Sequence, residues 1–264
     1  MAESRLEREA EFHDSVSADG ARVSAARFYA VATGKEFYFD LIRRAVGEKG
    51  GRVLEYGCGP GGFSFDLARE GSIRVDAVDI SSVGIEQGRE RAINLGLSDR
   101  MSFHVMDAEQ LTFDDSTFDA VFGSGILHHL NITRALREVA RVLKPDGRAI
   151  FFEPLGHNFL INMYRRLTPR MRSEDEHPLL MDDLAVLSQS FQEVELRFFH
   201  LISLLAVPLR KLPGFSSAVR FFDWLDQLLF KLPILRRQAW VVVIEMSGPS
   251  RASAGDLAPN ELLD

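Results

Sequence analysis

The hydrophobic pattern changes character twice along the chain. From Arg52 to Glu153, apolar runs of strand length alternate with segments whose apolar residues recur at helical spacing. Arg52–Tyr56, Ile73–Asp79, Met101–Met106, Phe118–Phe122 and Arg148–Glu153 are predicted strands. Gly62–Glu70, about Ser82–Leu95 and Ile132–Leu143 are predicted helices, the last stopped by Lys144-Pro145-Asp146-Gly147. Strands and helices alternating at this spacing imply βαβ units and a parallel sheet covered on both faces.

Outside this stretch the rhythm is lost. Residues 1 to about 20 are charged, which predicts a frayed helix or a disordered arm. Ala21–Val46 reads as a helix with aromatic residues at 28, 29, 37, 38 and 39, ended by GEKGG. After Glu153, Pro154–Pro178 is a polar insertion, basic then acidic. A helix (about Met181–Ser190) and a strand (about Val194–Phe199) resume the fold, and Ala239–Met246 is a last strand. A second insertion, His200–Gln238, separates those two strands. The tail 247–264 is small and polar and reads as disordered.

Charge and cysteine content narrow the classes. The net charge of −7 argues against nucleic-acid binding through bulk charge. A single cysteine, Cys58, rules out an intramolecular disulfide and suggests a reducing compartment. The N-terminal MAESRLEREAEFHD lacks the apolar core of a signal peptide. The longest apolar run, Phe198–Leu209, is too short to span a bilayer. The expectation is a soluble cytoplasmic protein.

The candidate chemistry begins at VLEYGCGPGG, residues 53–62. Gly57, Gly59, Gly61 and Gly62 fall between a strand and a helix, where a tight turn lets a ligand approach the backbone near a helix N-terminus. Gly57, Gly59 and Gly62 satisfy the dinucleotide pattern G-x-G-x-x-G. Glu55, however, stands two residues before the first glycine, where a carboxylate suits an ammonium or sulfonium group better than a pyrophosphate. Asp79 ends the second strand, 22 residues after Gly57, the place of an acidic residue that accepts hydrogen bonds from ribose hydroxyls. Both nicotinamide and S-adenosyl ligands carry a ribose, so Asp79 does not choose between them. Asp107, at the end of the third strand, is placed either to meet an adenine amino group or to form a turn.

Taken in order, VLEYGCGPGG, VDAVDIS, VMDAEQLTF, FDAVFGSGILHHL and REVARVLKPDGRAIFFEP resemble the class I S-adenosylmethionine-dependent methyltransferases, in particular the small-molecule branch with the ubiquinone and menaquinone C-methyltransferases. The resemblance covers roughly Gly50 to Glu153. It implies an α/β, Rossmann-like seven-stranded sheet, mostly parallel with the last strand antiparallel, with helices on both faces and helical insertions near the C-terminus. Residues 1–50 would be a helical arm and cofactor lid, and 51–246 the methyltransferase domain, with insertions at 154–178 and 200–238. S-adenosyl-L-methionine is the implied cofactor. Gly57, Gly59 and Gly61 would contact its methionine part, with Cys58 a small filler among them and Glu55 near the amino group. Asp79 would bind the ribose, Ile80 would pack on the adenine, Asp107 and Ala108 would meet the adenine amino edge, and Ser124 would face the transferring methyl. Tyr29 or Phe28 would close over the ligand.

His128 and His129 follow the fourth strand at the edge where ligands sit in open α/β folds, so either is a candidate general base; His129 is preferred on the resemblance. Packing against the next helix is the competing role. Glu153, with His157, Tyr164 and Arg165, is placed either to shape an acceptor pocket or to open a solvated loop. No metal site is expected: the histidines are scattered, and the adjacent His128 and His129 would not converge on one ion. In the second insertion Val219, Phe222, Leu225, Leu228, Leu229 and Leu232 lie at helical spacing, with six Lys/Arg against two Asp. This segment reads as a core-packed or dimer-forming helix, a lid over an apolar acceptor, or a surface that lies on a membrane. The reading is an enzyme that methylates a small, apolar or amphiphilic metabolite, lipid-like acceptors included. The alternative is an inactive S-adenosylmethionine-binding regulatory module. The oligomeric state is left open.

Overall fold

The computed structural model describes residues 5–19, 33–47, 50–70, 72–167 and 177–250, without the side chains of residues 16–19 and 164. Phe28, Tyr29 and the first part of the predicted helix Ala21–Val46 lie outside them, as do residues 251–264. Two helices, α1 (Arg5–Asp19) and α2 (Thr33–Val46), precede the sheet. The alternation then runs β1 (Gly51–Tyr56), α3 (Ser64–Arg69), β2 (Ile73–Asp79), α4 (Ser82–Asn94), β3 (Met101–Val105), β4 (Phe118–Ser124), α5 (Ile132–Val142) and β5 (Leu143–Pro154). After it come α6 (Phe159–Leu167), α7 (Leu187–Ser190), β6 (Phe191–Phe199), α8 (Phe215–Leu229), α9 (Pro233–Arg236) and β7 (Val241–Pro249).

The seven strands form one sheet in the order β3-β2-β1-β4-β5-β7-β6. β1 to β5 pair in parallel, and β7 runs antiparallel to both β5 and β6. The sheet carries apolar residues on both faces, as a sheet covered on both sides must. Alternate residues of β5 enter opposite cores: Ile150 and Phe152 pack with α2 residues such as Tyr38 and Ile42, while Ala149 and Phe151 pack with α5 residues Leu136 and Val139. Helix starts follow local chemistry. The Ser81 hydroxyl accepts from the Gly84 amide at the head of α4, and Asn131 accepts from the Arg134 amide at the head of α5.

Four expectations are sharpened or changed. Of the two alternatives for the N-terminus, residues 5–19 take the helical one, and their charged side chains find partners elsewhere: Asp14 accepts from the Ser81 hydroxyl (2.6 Å) and the Val83 amide (3.1 Å) at the head of α4. β5 begins at Leu143 rather than Arg148, since Lys144–Gly147 is absorbed as a bulge between the Phe118–Leu143 and Ala120–Arg148 pairs. The helix about Met181–Ser190 is a 3₁₀ turn, Asp183–Val186, running into the short α7. Ser247 to Pro249 continue β7 against β6 and are not part of a disordered tail.

Topology places both insertions. β6 has the same direction as β1–β5, so residues 200–238 leave the sheet at its carboxyl edge, as does the 154–178 segment after β5. The second insertion is anchored by Asp226, fully buried on α8. Its carboxylate accepts from the amides of Leu201 (3.0 Å), Ile202 (2.8 Å) and Ser203 (3.2 Å), which open the 3₁₀ segment Ser203–Leu209. Thr33 of α2 donates to Asp223 one turn earlier. His200, with φ of 64°, is buried against Trp240, and burial lowers its pKa to about 4, so it stays neutral. Of the predicted apolar stripe on α8, Val219 is buried, while Phe221 and Trp224 on a neighbouring face are 55% and 58% exposed. No described helix is long and apolar enough to cross a membrane.

Asp226→Ala leaves three buried or half-buried amides without their acceptor and lowers stability by about 3 kcal/mol. Urea unfolding measures this; a loss below about 0.5 kcal/mol would show that the insertion is held by its apolar contacts alone.

Candidate active site

A crevice of about 640 Å³, counting its open mouth, lies over the carboxyl ends of β1, β2, β3 and β4. The glycine turn after β1 forms part of its wall. The amides of Gly57 and Cys58 both donate to the Val78 carbonyl, which ties this turn to β2. Gly57 has φ of +71°, and a Cβ there would lie 2.7 Å from Ile126 in the loop after β4. Only glycine lets the two loops approach so closely.

Asp79 fixes the next part. One carboxylate oxygen accepts from the Gly59 amide at 2.5 Å and the other from the Ser81 amide at 2.9 Å. The side chain thus joins the glycine turn to the head of α4, and each oxygen keeps a lone pair for a ligand. Asp107 forms the turn foreseen for it, with Oδ1 accepting from the Glu109 amide at 2.8 Å, and it also lines the crevice. The Tyr56 hydroxyl donates to the Ala108 carbonyl beneath this turn.

The loop after β4 is set by Glu153. This residue is fully buried; Oε1 accepts from the amides of Ile126 (2.9 Å) and Leu127 (3.0 Å), and Oε2 meets His128 Nδ1 at 2.8 Å. It therefore neither shapes an acceptor pocket nor opens a solvated loop. It folds the 3₁₀ turn Leu127–His129 so that His128 points inward and His129 lines the crevice. His157 accepts from the Met181 amide and Arg165 contacts Asn162, both away from the crevice, and the Tyr164 side chain is not described.

α1 covers the mouth with Arg5, Leu6, Glu9 and His13. Arg5 pairs with Glu109 and donates to the His129 carbonyl at 3.4 Å. Glu9 lies 3.2 Å from His129 and 3.3 Å from His13. Among the described residues of 1–50, those that line the crevice all belong to α1. Its apolar residues are few, which hid its role; the Glu9/His13 spacing of one helical turn was the available signal. That pair is a carboxylate and a histidine at ligand spacing, which the expectation of no metal site overlooked.

Of the expected site residues, Gly57, Asp79, Ile80, Asp107, Ala108, Ser124 and His129 line the crevice. Glu55, Cys58, Gly59, Gly61 and His128 do not. Cys58 packs into the core, and Gly59 acts through its amide on Asp79. Gly61, with φ of +80°, leaves no room for a Cβ beside Phe65. Glu55 is buried under the turn, and its Oε2 has no hydrogen-bond partner among the described residues. Burial, with the charge of Asp79 adding to it, pushes its pKa up to about 7 against the pull of hydrogen bonds from Gly62 and Ser64.

The lining carries three carboxylates, Glu9, Asp79 and Asp107, against one guanidinium, Arg5, which Glu109 already engages. Such a wall repels a pyrophosphate and attracts a cation. The volume suits a nucleoside-sized ligand. The buried, unpartnered Glu55 oxygen and the glycine turn are the features an S-adenosyl group with its amino-acid end would use, and the site fits that cofactor.

A family model described as a methyltransferase domain matches residues 53–147. Among curated proteins, the chain is 35% identical over 106 residues to sterol 4-C-methyltransferase strm-1 of Caenorhabditis elegans, covering 40% of this chain and 31% of that protein. It is 33% identical over 108 residues to the ubiquinone/menaquinone biosynthesis C-methyltransferase UbiE of Geobacter sulfurreducens, covering 40% and 42%. The chain spans only about a third to a half of the length of the curated relatives it matches. A solved geranyl diphosphate C-methyltransferase from Streptomyces coelicolor A3(2) superposes with a TM-score of 0.57 over 81% of this chain and 80% of that one, at 14% identity, a likeness of fold. Motif order, strand order and matched domain agree: residues 53–147 carry a methyltransferase domain, set in a sheet with the strand order β3-β2-β1-β4-β5-β7-β6, and are similar to the class I S-adenosylmethionine-dependent methyltransferases.

Proposed function

We propose that this protein transfers a methyl group from S-adenosylmethionine to a small, apolar or amphiphilic acceptor. The carboxylate-lined crevice at the ends of β1–β4 carries the proposal, because its charge selects a cationic nucleoside over a dinucleotide. Bound there, S-adenosylmethionine would supply a methyl group already activated by the positive sulfur. The chain's own task is to align the acceptor and exclude water. Asp79 would accept from the ribose hydroxyls, Ile80 would pack on the adenine, and Asp107 with Ala108 would meet the adenine amino edge. Gly57 and Ser124 would lie along the methionine end, and Glu55 would face its ammonium. α1, held by Glu9, Asp14 and Arg5, would close over the ligand. His129 is the one histidine of the 128–129 pair that reaches the crevice, and it would take a proton from an acceptor that must lose one. His128 acts behind it, positioning the turn through Glu153.

Two observations support this acceptor class. Leu205, Leu212, Phe221, Trp224, Leu232 and Ile234 of the second insertion are all exposed. Sterol and quinone methyltransferases stand among the relatives. An apolar or lipid-like acceptor suits both observations. The exposed apolar residues, with Arg210, Lys211, Arg220 and Lys231 beside them, also suit peripheral contact with an anionic membrane from which such an acceptor is drawn.

Incubation with methyl-labelled S-adenosylmethionine and fractionated metabolite extracts tests the reaction. Label is expected in an organic-extractable product; binding of cofactor with no labelled product from any fraction would favour the inactive regulatory module instead. Calorimetry with S-adenosylhomocysteine and with NAD tests the ligand, and tight binding of NAD alone would overturn it.

Asp79→Ala is expected to weaken S-adenosylhomocysteine binding by about 1.5–3 kcal/mol, the scale of hydrogen bonds to a charged group. Unchanged affinity would place the ribose elsewhere.

Glu55 makes binding depend on pH. With its pKa raised to about 7, the free protein holds a proton on Glu55 at pH 6 and loses it as pH rises past 7. An ammonium beside it favours the ionised form, so binding at pH 6 must release that proton. Affinity for S-adenosylhomocysteine is therefore expected to rise between pH 6 and 8, by up to about tenfold per pH unit below 7. Glu55→Gln is expected to flatten the profile in calorimetric titrations. A flat profile in the unaltered protein would remove Glu55 from the ligand.

A further inference from the structure

Glu9, His13 and His129 bring three metal-ligating atoms together from sites far apart in the chain. Glu9 and His13 are one turn apart on the same face of α1, and His129 comes from the 3₁₀ turn after β4. Glu9 Oε2 lies 3.3 Å from His13 Nε2 and 3.2 Å from His129 Nδ1, and all three atoms are within 4.8 Å of one another. The side chains are 7%, 17% and 9% exposed. His129 Nδ1 is buried without a hydrogen-bond partner, so its 3.2 Å approach to Glu9 is not a hydrogen bond. The atoms approach one another without being aligned on one another.

Such spacing is that of ligands around a common centre. Nitrogen and oxygen ligands held tetrahedrally about 2.0–2.2 Å from zinc stand roughly 3.4 Å apart. We propose that Glu9, His13 and His129 bind one divalent transition-metal ion of the zinc type. Two imidazoles with one carboxylate favour zinc or iron(II) over magnesium or calcium, which prefer all-oxygen sites. Three protein ligands leave a fourth position, and all three residues line the crevice, so that position is open to a water or to an oxygen of a small molecule. With Nδ1 on the ion, His129 keeps its proton on Nε2, and a metal-bound hydroxide would take over the base role that His129 has in the metal-free chain. The ion would also clasp α1 to the β4 loop, joining the lid to the sheet by bonds stronger than the ion pairs around them. This inference does not rest on methyl transfer, and a chain that binds no S-adenosyl ligand would still bind the metal.

Cobalt(II) is the probe, because a tetrahedral or five-coordinate nitrogen–oxygen site gives it visible absorption that zinc then abolishes. Full-length protein without an affinity tag, stripped with chelator and titrated with cobalt(II), is expected to show these bands saturating at one equivalent. Elemental analysis after dialysis against zinc is expected to find one zinc per chain. His13→Ala and Glu9→Gln should each weaken uptake by roughly tenfold or more, whereas His177→Ala, at an exposed histidine outside the crevice, should leave it unchanged. His13→Cys should restore uptake and add a sulfur-to-cobalt charge-transfer band, a result that loss of folding cannot produce. No stoichiometric uptake by the unaltered protein would overturn the proposal, as would uptake that His13→Ala and Glu9→Gln leave unchanged.

Discussion

The architecture of the crevice depends on Asp79. At the end of β2 the chain must turn into α4, and the glycine turn from β1 arrives beside it. Both loops present backbone amides that need acceptors. One carboxylate serves both, accepting from Gly59 and Ser81. The same device recurs around the carboxyl edge. Glu153 holds the amides of Ile126 and Leu127, Asp107 that of Glu109, Asp14 that of Val83, and Asp226 the three that open residues 201–203. Acidic residues here are therefore structural first. Their abundance also makes the crevice electronegative, so the groups that shape the loops select the charge of what binds between them. Glu55 stands apart: one oxygen is buried without a partner, and its raised pKa reflects that cost.

α1 follows the same logic. α1 has little apolar surface to bury, and it is held by polar contacts that each end on a crevice loop: Arg5 on the turn after β3, Glu9 on His129, Asp14 on the head of α4. Such a helix is ordered by the loops it touches, and its position reports on theirs. The second insertion is held differently, by a buried carboxylate and by Thr33, and keeps a large apolar face in solvent. One element lines the crevice; the other presents exposed apolar residues beyond the same carboxyl edge of the sheet.

Most of the sheet was legible because its signals are local. A strand buried on both faces is an apolar run, and Ile73–Asp79 falls where the pattern places it. Asp79 and Asp107 were legible because parallel strands end at one edge. What was not legible depends on contacts distant in sequence. The order of α1 comes from partners about 70 to 120 residues away, and its own composition reads as a solvated arm. Glu153 ends a strand as a crevice residue would, yet its partners in the β4 loop turn it inward and carry His128 with it. The early start of β5 needs a bulge opposite Phe118, which no single-strand pattern encodes. Phe221 and Trp224 were missed as exposed residues because helical spacing reports a stripe without saying which stripe is covered.

Amide hydrogen exchange with and without S-adenosylhomocysteine tests the central claim, a cationic nucleoside across the carboxyl ends of β1–β3 under α1, most directly. The account predicts slowed exchange at Gly57–Gly62, at Ile80–Ser82, at Asp107–Glu109 and along α1, with β6 and β7 unchanged. Protection confined to the second insertion, or absent from the glycine turn and α1 while the ligand is bound, would contradict it.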